Sequence, residues 1–261
     1  MKCTLTAFTA CLLLGTAIAA FAQKNMDKTQ VPVSARGNKV GALVQLPDDY
    51  NTGNAKYPLL LVFHGKSKAG TDLSKLIIDG LPYWLDKGVK LDSRNPVDKK
   101  LYKFIIVMPQ SQSFGLRPWE VENVLNDVMK RYRVDPSRVY LTGYSAGGWV
   151  SLMTITEKPA LSKRIAAIVS LSPTSLEDKN VQQFKLIADA NVPVWFLAGE
   201  HEPHFMETAQ KYTDSVNKYK PGLARVTIHG NKHCCFKDIY NPSYRPNGLN
   251  VYEWLLQYTR K

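Results

Sequence analysis

The chain is 261 residues long, 44% hydrophobic and 21% charged, proportions that exclude a disordered polymer or a membrane-embedded bundle and suit one globular domain. The formal net charge is +12. Its basic residues (Lys66, Lys68, Lys99, Lys100, Lys130, Arg131 and Arg133 among them) are scattered rather than gathered into a stripe interleaved with aromatics, which reads as a solvated surface and not as a nucleic-acid interface.

At the N-terminus, Met1-Lys2 precedes an apolar run holding Leu12, Leu13, Leu14 and Ile18, and then Ala20-Phe21-Ala22. That is the layout of a secretory signal peptide cleaved after Ala22. The run is short of the ~20 residues that a membrane span needs, and no later stretch is longer. The expectation is a signal peptide over 1–22, one catalytic-sized domain over 23–261, export to periplasm or medium, and no stable membrane insertion. Cleavage removes Cys3 and Cys11 and leaves only Cys234 and Cys235. A bond between adjacent cysteines closes a small strained ring, so two free, partly buried thiols are expected rather than a structural disulfide.

Along the chain, Lys39–Leu46 alternates and ends at Pro47-Asp48-Asp49, an early strand entering a turn. Leu59–Phe63, Phe104–Met108, Val139–Thr142, Ile165–Leu171, Val192–Leu197 and Arg225–Ile228 are short apolar runs, most of them suited to parallel strands buried on both faces. Between them, residues 119–132 place Val121, Val124, Leu125, Val128, Met129 and Tyr132 on one helical face. Asp135-Pro136-Ser137 breaks that helix before the next strand. Residues 146–157, 203–219 and 249–260 also read as helices, and 86–102 as the one long irregular stretch. The alternation predicts an α/β fold: a mostly parallel central sheet with helices on both faces, in a single domain without a large lid.

Gly143-Tyr144-Ser145-Ala146-Gly147-Gly148 follows one of these strands and opens a helix, the setting of a nucleophile elbow. Ser145 is the candidate nucleophile. Glycine on either side lets neighbouring backbone approach, and the helix starting at Ala146 aims N–H groups at a developing oxyanion. His64-Gly65-Lys66 ends an earlier strand, so the expected oxyanion donors are the backbone N–H groups of Ala146 and Lys66, with Gly65 or Ser67 as alternatives. His64 itself reads as a buried structural histidine. The base should come last in the chain, and of the five histidines His233 lies in the loop after the final strand. The acid should follow Val192–Leu197, which leaves Glu200 and Glu202. His201 and His204 are three apart with Pro203 between, a spacing that does not make a helical zinc motif, so neither metal nor organic cofactor is expected.

Taken with Leu61-Val62-Phe63-His64-Gly65, Gly80-Leu81-Pro82, Ile106-Val107-Met108-Pro109-Gln110, Asp135 to Gly148 and Tyr252-Glu253-Trp254-Leu255-Leu256, these landmarks give a chain that resembles the α/β-hydrolase superfamily. The likeness is to its peptidase/esterase, prolyl-oligopeptidase-like group, akin to feruloyl esterases and polyhydroxybutyrate depolymerases. That group carries a His-Gly pair and an Asp three residues later. Here Ala198 stands for the His, and Glu202 occupies the Asp position, so the resemblance favours Glu202 over Glu200 as the acid. The group's His-x-x-Trp around the base is His233-Cys234-Cys235-Phe236 here.

The resulting expectation is hydrolysis of a small-molecule or polysaccharide-linked carboxylic ester through an acyl-enzyme on Ser145. Alternatives are a serine peptidase on the same machinery and a secreted binding protein that has lost turnover. Trp119 and Tyr144 are candidates for the substrate rim. Gln110 either faces the substrate or packs, and packing is expected of Trp149. The acyl group, the alcohol and the oligomeric state stay open.

Overall fold

Seven consecutive buried residues, Tyr57–Phe63, form strand β3 in the middle of the sheet. Leu59, Leu61 and Phe63 pack into one apolar cluster while Leu60 and Val62 pack into a second on the opposite face. This two-sided burial is why the segment reads as an unbroken apolar run. Each such leucine contributes roughly 1.5–3 kcal/mol by leaving water.

The computed structural model describes residues 26–230 and 232–260, so the expected signal peptide over 1–22 lies outside the described residues. The main sheet has eight strands: β1 (Asp27–Pro32), β2 (Lys39–Gln45), β3, β4 (Ile105–Pro109), β5 (Val134–Tyr144), β6 (Ala167–Leu171), β7 (Val194–Gly199) and β8 (Ala224–His229). Their spatial order is β1-β2-β4-β3-β5-β6-β7-β8. β2 runs antiparallel to both neighbours, and every other pairing is parallel.

Helices α1 (Pro118–Arg131), α2 (Ala146–Glu157) and α3 (Pro203–Tyr219) cover one face, and α4 (Val251–Leu256) with the helix Leu81–Asp86 covers the other. The mostly parallel sheet with helices on both faces is as expected.

Several local expectations are corrected. β1 was not foreseen: Asp27-Lys28-Thr29-Gln30 is polar, and the strand is held at the edge by its antiparallel pairing with β2. β5 begins at Val134, so Asp135-Pro136-Ser137 lies within the strand rather than ahead of it. The Asp135 carboxylate accepts from the Ser137 amide, which satisfies that donor locally. The C-terminal helix ends at Leu256. Beyond it the chain becomes a strap in which the Arg260 guanidinium donates to the carbonyls of Ser162, Ile165 and Ala190. The stretch 86–102 contains a two-strand ribbon, Ser93–Arg94 against Leu101–Tyr102. No helix among the described residues is long and apolar enough to cross a membrane.

Candidate active site

The carboxyl ends of β3, β5, β6, β7 and β8 share one edge of the sheet, where open α/β sheets place their ligands. Ser145 sits there, between β5 and α2, with φ 54° and ψ −118°. A positive φ is costly for a residue with a Cβ and persists only where surroundings hold it. They do. The Ser145 amide donates to the Leu171 carbonyl at 2.9 Å, and its own carbonyl accepts from Trp149 and Thr174. A Cβ on Gly143 would lie 2.6 Å from the Gly147 carbonyl, and one on Gly147 would collide with the Phe63 carbonyl. Glycine at both positions is therefore what lets β5, α2 and the end of β3 meet closely enough to make the turn.

The His233 Nε2 lies 3.0 Å from the Ser145 Oγ, and its Nδ1 lies 2.5 Å from the Glu202 Oε2. With the ring proton on Nδ1, Glu202 accepts from the imidazole and Nε2 is left to accept the serine hydroxyl. Glu202 has 6% of its surface exposed. Burial works to raise its carboxyl, but hydrogen bonds from His233, Ser172 and the Gly199 amide outweigh that and hold it below the usual carboxylate range. Glu200, the other acid candidate, instead lies exposed beside His201 at 3.3 Å. The side chains of His201, Glu202 and His204 diverge, toward Glu200, His233 and Ser175 respectively.

The same short segment delivers two groups to the imidazole. Glu202 is the N-cap residue of α3, and Phe205, in its first turn, stacks face to face on His233 with ring centroids 3.8 Å apart. Phe236 meets the ring edge-on at 5.3 Å and stacks in turn on Tyr144 at 4.4 Å. Ser172 and Phe205 were missed by sequence reasoning. Ser172 directly follows β6 at the active edge, and that position was the available signal; nothing local marks Phe205.

Beside Ser145, Ala146 begins α2, whose first N–H groups have no intrahelical partner. Lys66 opens a 3₁₀ turn in which Lys68 and Ala69 donate back to Gly65 and Lys66. A Cβ on Gly65 would fall 3.5 Å from that of Ser145, so this turn lies against Ser145. His64 is buried, as expected. The Ser111 amide donates to its Nε2, and Nδ1 donates to the Gly65 carbonyl. Burial pushes its pKa down, which keeps the ring neutral.

The substrate-facing candidates fare differently. Gln110 is 1% exposed and donates from Nε2 to the carbonyls of Lys68 and Asp72, so it braces the Lys66 turn from beneath rather than facing outward. Tyr144 is also buried, in a pocket closed by Gly65, Gly80 and Phe236. Trp119 is 55% exposed near the start of α1. Trp149 packs, meeting Phe114 edge-on and lying under the Arg117 guanidinium. Cys234 and Cys235 are free and exposed rather than partly buried. Among the described residues no group of three His, Cys, Asp or Glu side chains could hold a metal ion.

Residues 114–250 match the sequence profile of the dienelactone hydrolase family, just over half the chain. The chain belongs to the dienelactone hydrolase family. No curated protein matches it in sequence. Among solved structures it is similar to a thermostable esterase, with TM-score 0.68 and 19% identity over 91% of this chain; it spans 64% of that esterase's length. It also resembles the feruloyl esterase module from Clostridium thermocellum, with TM-score 0.61 and 12% identity over 90% of this chain and 88% of the other. A puromycin-hydrolyzing peptidase from Mycobacterium tuberculosis aligns with TM-score 0.56 and 15% identity, over 83% of this chain but 38% of the peptidase. At these identities the likeness is one of fold.

Proposed function

We propose that this chain is an exported serine hydrolase, cleaved after Ala22, that splits carboxylic esters through an acyl-enzyme on Ser145. The observation that carries the reading is the unbroken hydrogen-bonded line from Ser145 through His233 to Glu202, with the serine held on a strained strand–helix turn.

His233 takes the hydroxyl proton as Ser145 Oγ attacks the ester carbonyl, and Glu202 stabilises the imidazolium without taking the proton itself. The carbonyl oxygen gathers charge, which the Ala146 and Lys66 backbone amides receive. Collapse expels the alcohol, protonated by His233. Water, deprotonated by the same ring, then releases the acid and regenerates Ser145. Trp119 is the exposed aromatic available to contact substrate, and Gln110 and Tyr144 act by supporting the Lys66 turn and Phe236.

A small-molecule or polysaccharide-linked ester fits this reading better than a peptide, because the peptidase in the comparison has more than half its length outside the shared fold. The test is turnover of p-nitrophenyl acetate and butyrate by the mature chain and by Ser145→Ala. Hydrolysis lost in the variant supports the reading. A folded wild type that turns over neither ester, nor a panel of natural esters, overturns it.

A further inference from the structure

Cys234 and Cys235 directly follow His233, and the mechanism uses neither. Both thiols are exposed, and their sulfurs lie 2.6 Å apart. Cys235 has φ 60°, a left-handed conformation unusual for a residue with a side chain.

On both sides the segment is fastened. Upstream, β8 ends at His229 in register with Gly199, and the Glu200 amide donates to the His229 carbonyl. Downstream, the Lys237 amide donates to Asp79 at 2.8 Å, its carbonyl accepts from the Trp84 indole at 2.6 Å, and Phe236 is stacked on Tyr144. A backbone change at 234–235 can be absorbed only between these anchors, on the residues that include His233.

We propose that Cys234 and Cys235 are a redox modification site, closing to a vicinal disulfide that displaces His233 and switches off the hydrolase. The inference rests on the esterase reading above for its effect on turnover.

The oxidant is a disulfide of the oxidised-glutathione class. A thiolate of the pair attacks one of its sulfurs and expels one thiol, forming a mixed disulfide. The neighbouring cysteine then gives up its proton, attacks the bonded sulfur and expels the second thiol. Two cysteine thiols and one external disulfide become one internal disulfide and two external thiols, so two electrons pass to the oxidant. A hydrogen bond to Cys234 pushes the Cys235 thiol up to about 11.

The adjacent positions explain why closure must move the chain. Neighbouring α-carbons lie about 3.8 Å apart across a trans peptide, whereas bridged cysteines usually have theirs about 4.4–6.8 Å apart. That separation is fixed by the peptide unit, so closure makes a strained eight-membered ring whose strain the peptide and torsions at 234–235 absorb, and an exposed, strained disulfide of this kind belongs with the labile, regulatory ones. An imidazole displaced by about 1 Å from the Ser145 hydroxyl loses on the order of 100-fold in rate.

The experiment takes the mature chain through oxidised glutathione and then dithiothreitol, with Cys234→Ser and Cys235→Ser in parallel. Three signals are followed: the mass of the tryptic peptide 233–237, p-nitrophenyl acetate turnover, and the His233 imidazole proton shifts. The expected result is loss of two hydrogens from that peptide, a fall in turnover on the order of 100-fold, and recovery on reduction. Both serine variants should be active before oxidation and should stop at the mixed disulfide with glutathione, without the loss of two hydrogens. A wild-type peptide that remains a dithiol or retains glutathione overturns the proposal, as does a disulfide formed with turnover and imidazole shifts unchanged. If the reduced wild type hydrolyses no ester, the esterase reading fails instead, and peptide mass with imidazole shifts still decides whether the disulfide forms and moves His233.

Discussion

Glu202 lies 2.5 Å from the imidazole of His233, while Glu200, two residues earlier, lies on the surface beside His201. The difference comes from the turn after β7, in which the Gly199 amide donates to the Glu202 carboxylate and fixes it at the head of α3. Replacing Glu202 with Gln should leave the imidazole poorly oriented and lower kcat on the order of 1,000- to 10,000-fold, as for the acid of other serine triads. Glu200→Gln should change kcat by less than about twofold, since it perturbs only an exposed pair of the kind worth about 0–1 kcal/mol. Steady-state kinetics of the two variants on one ester decide it, and equal losses would contradict the assignment.

That carboxylate also carries a pH signature. Its folded pKa lies below the unfolded value of about 4.3. The resulting stabilisation is present above that value and is lost as pH falls through the folded pKa. His64 acts in the same direction by a different route. Burial depresses its pKa below about 6.5, so the unfolded chain takes up the proton first and stability declines as pH drops below that value. Urea unfolding should show wild type losing stability as pH falls below about 6.5. The slope should be shallower in His64→Gln.

The glycines of the elbow make a steric prediction. Gly147→Ala places its Cβ against the Phe63 carbonyl and 3.0 Å from that of His64. Backbone meets backbone there, so no side chain can rotate away, and destabilisation of about 3 kcal/mol or failure to fold is expected. Gly53→Ala, where a Cβ would meet open space, should stay within about 0.5 kcal/mol. Thermal melts of the pair give the comparison.

Gln110 joins stability to activity. Its amide is the donor to the carbonyls of Lys68 and Asp72, and Gln110→Leu removes both bonds from a buried place. The cost expected is about 1–3 kcal/mol, a Tm lower by several degrees. Loosening of the Lys66 turn should also reduce kcat more than it raises KM, because the Lys66 amide is assigned to bind charge that develops only in the transition state. A change confined to Tm would show that the turn keeps its position without the brace.

Much of this arrangement was legible in the sequence. β3, β4 and β7 are apolar runs because both their faces are covered, and the Gly-x-Ser-x-Gly between a strand and a helix located Ser145. His233 followed from its loop after the last strand. Other features depended on contacts distant in the chain. β1 is polar and owes its place to an edge pairing. Tyr144 was a candidate for the substrate rim and Gln110 was open between facing substrate and packing; each is turned inward, one by Phe236 and the other by the Lys68 and Asp72 carbonyls. The Ser172 contact to Glu202 was signalled only by its place just after β6, and no local pattern encodes the Phe205 contact to His233.

The central claim is that Ser145 forms the covalent intermediate. The direct measurement is fluorophosphonate labelling of the mature chain, with the adduct mapped by mass spectrometry. One adduct per chain on Ser145, within the tryptic peptide 139–163, is the predicted result, with none in Ser145→Ala and much slower labelling in His233→Ala. A folded wild-type chain that takes up no label, or label carried on another residue, would contradict the account.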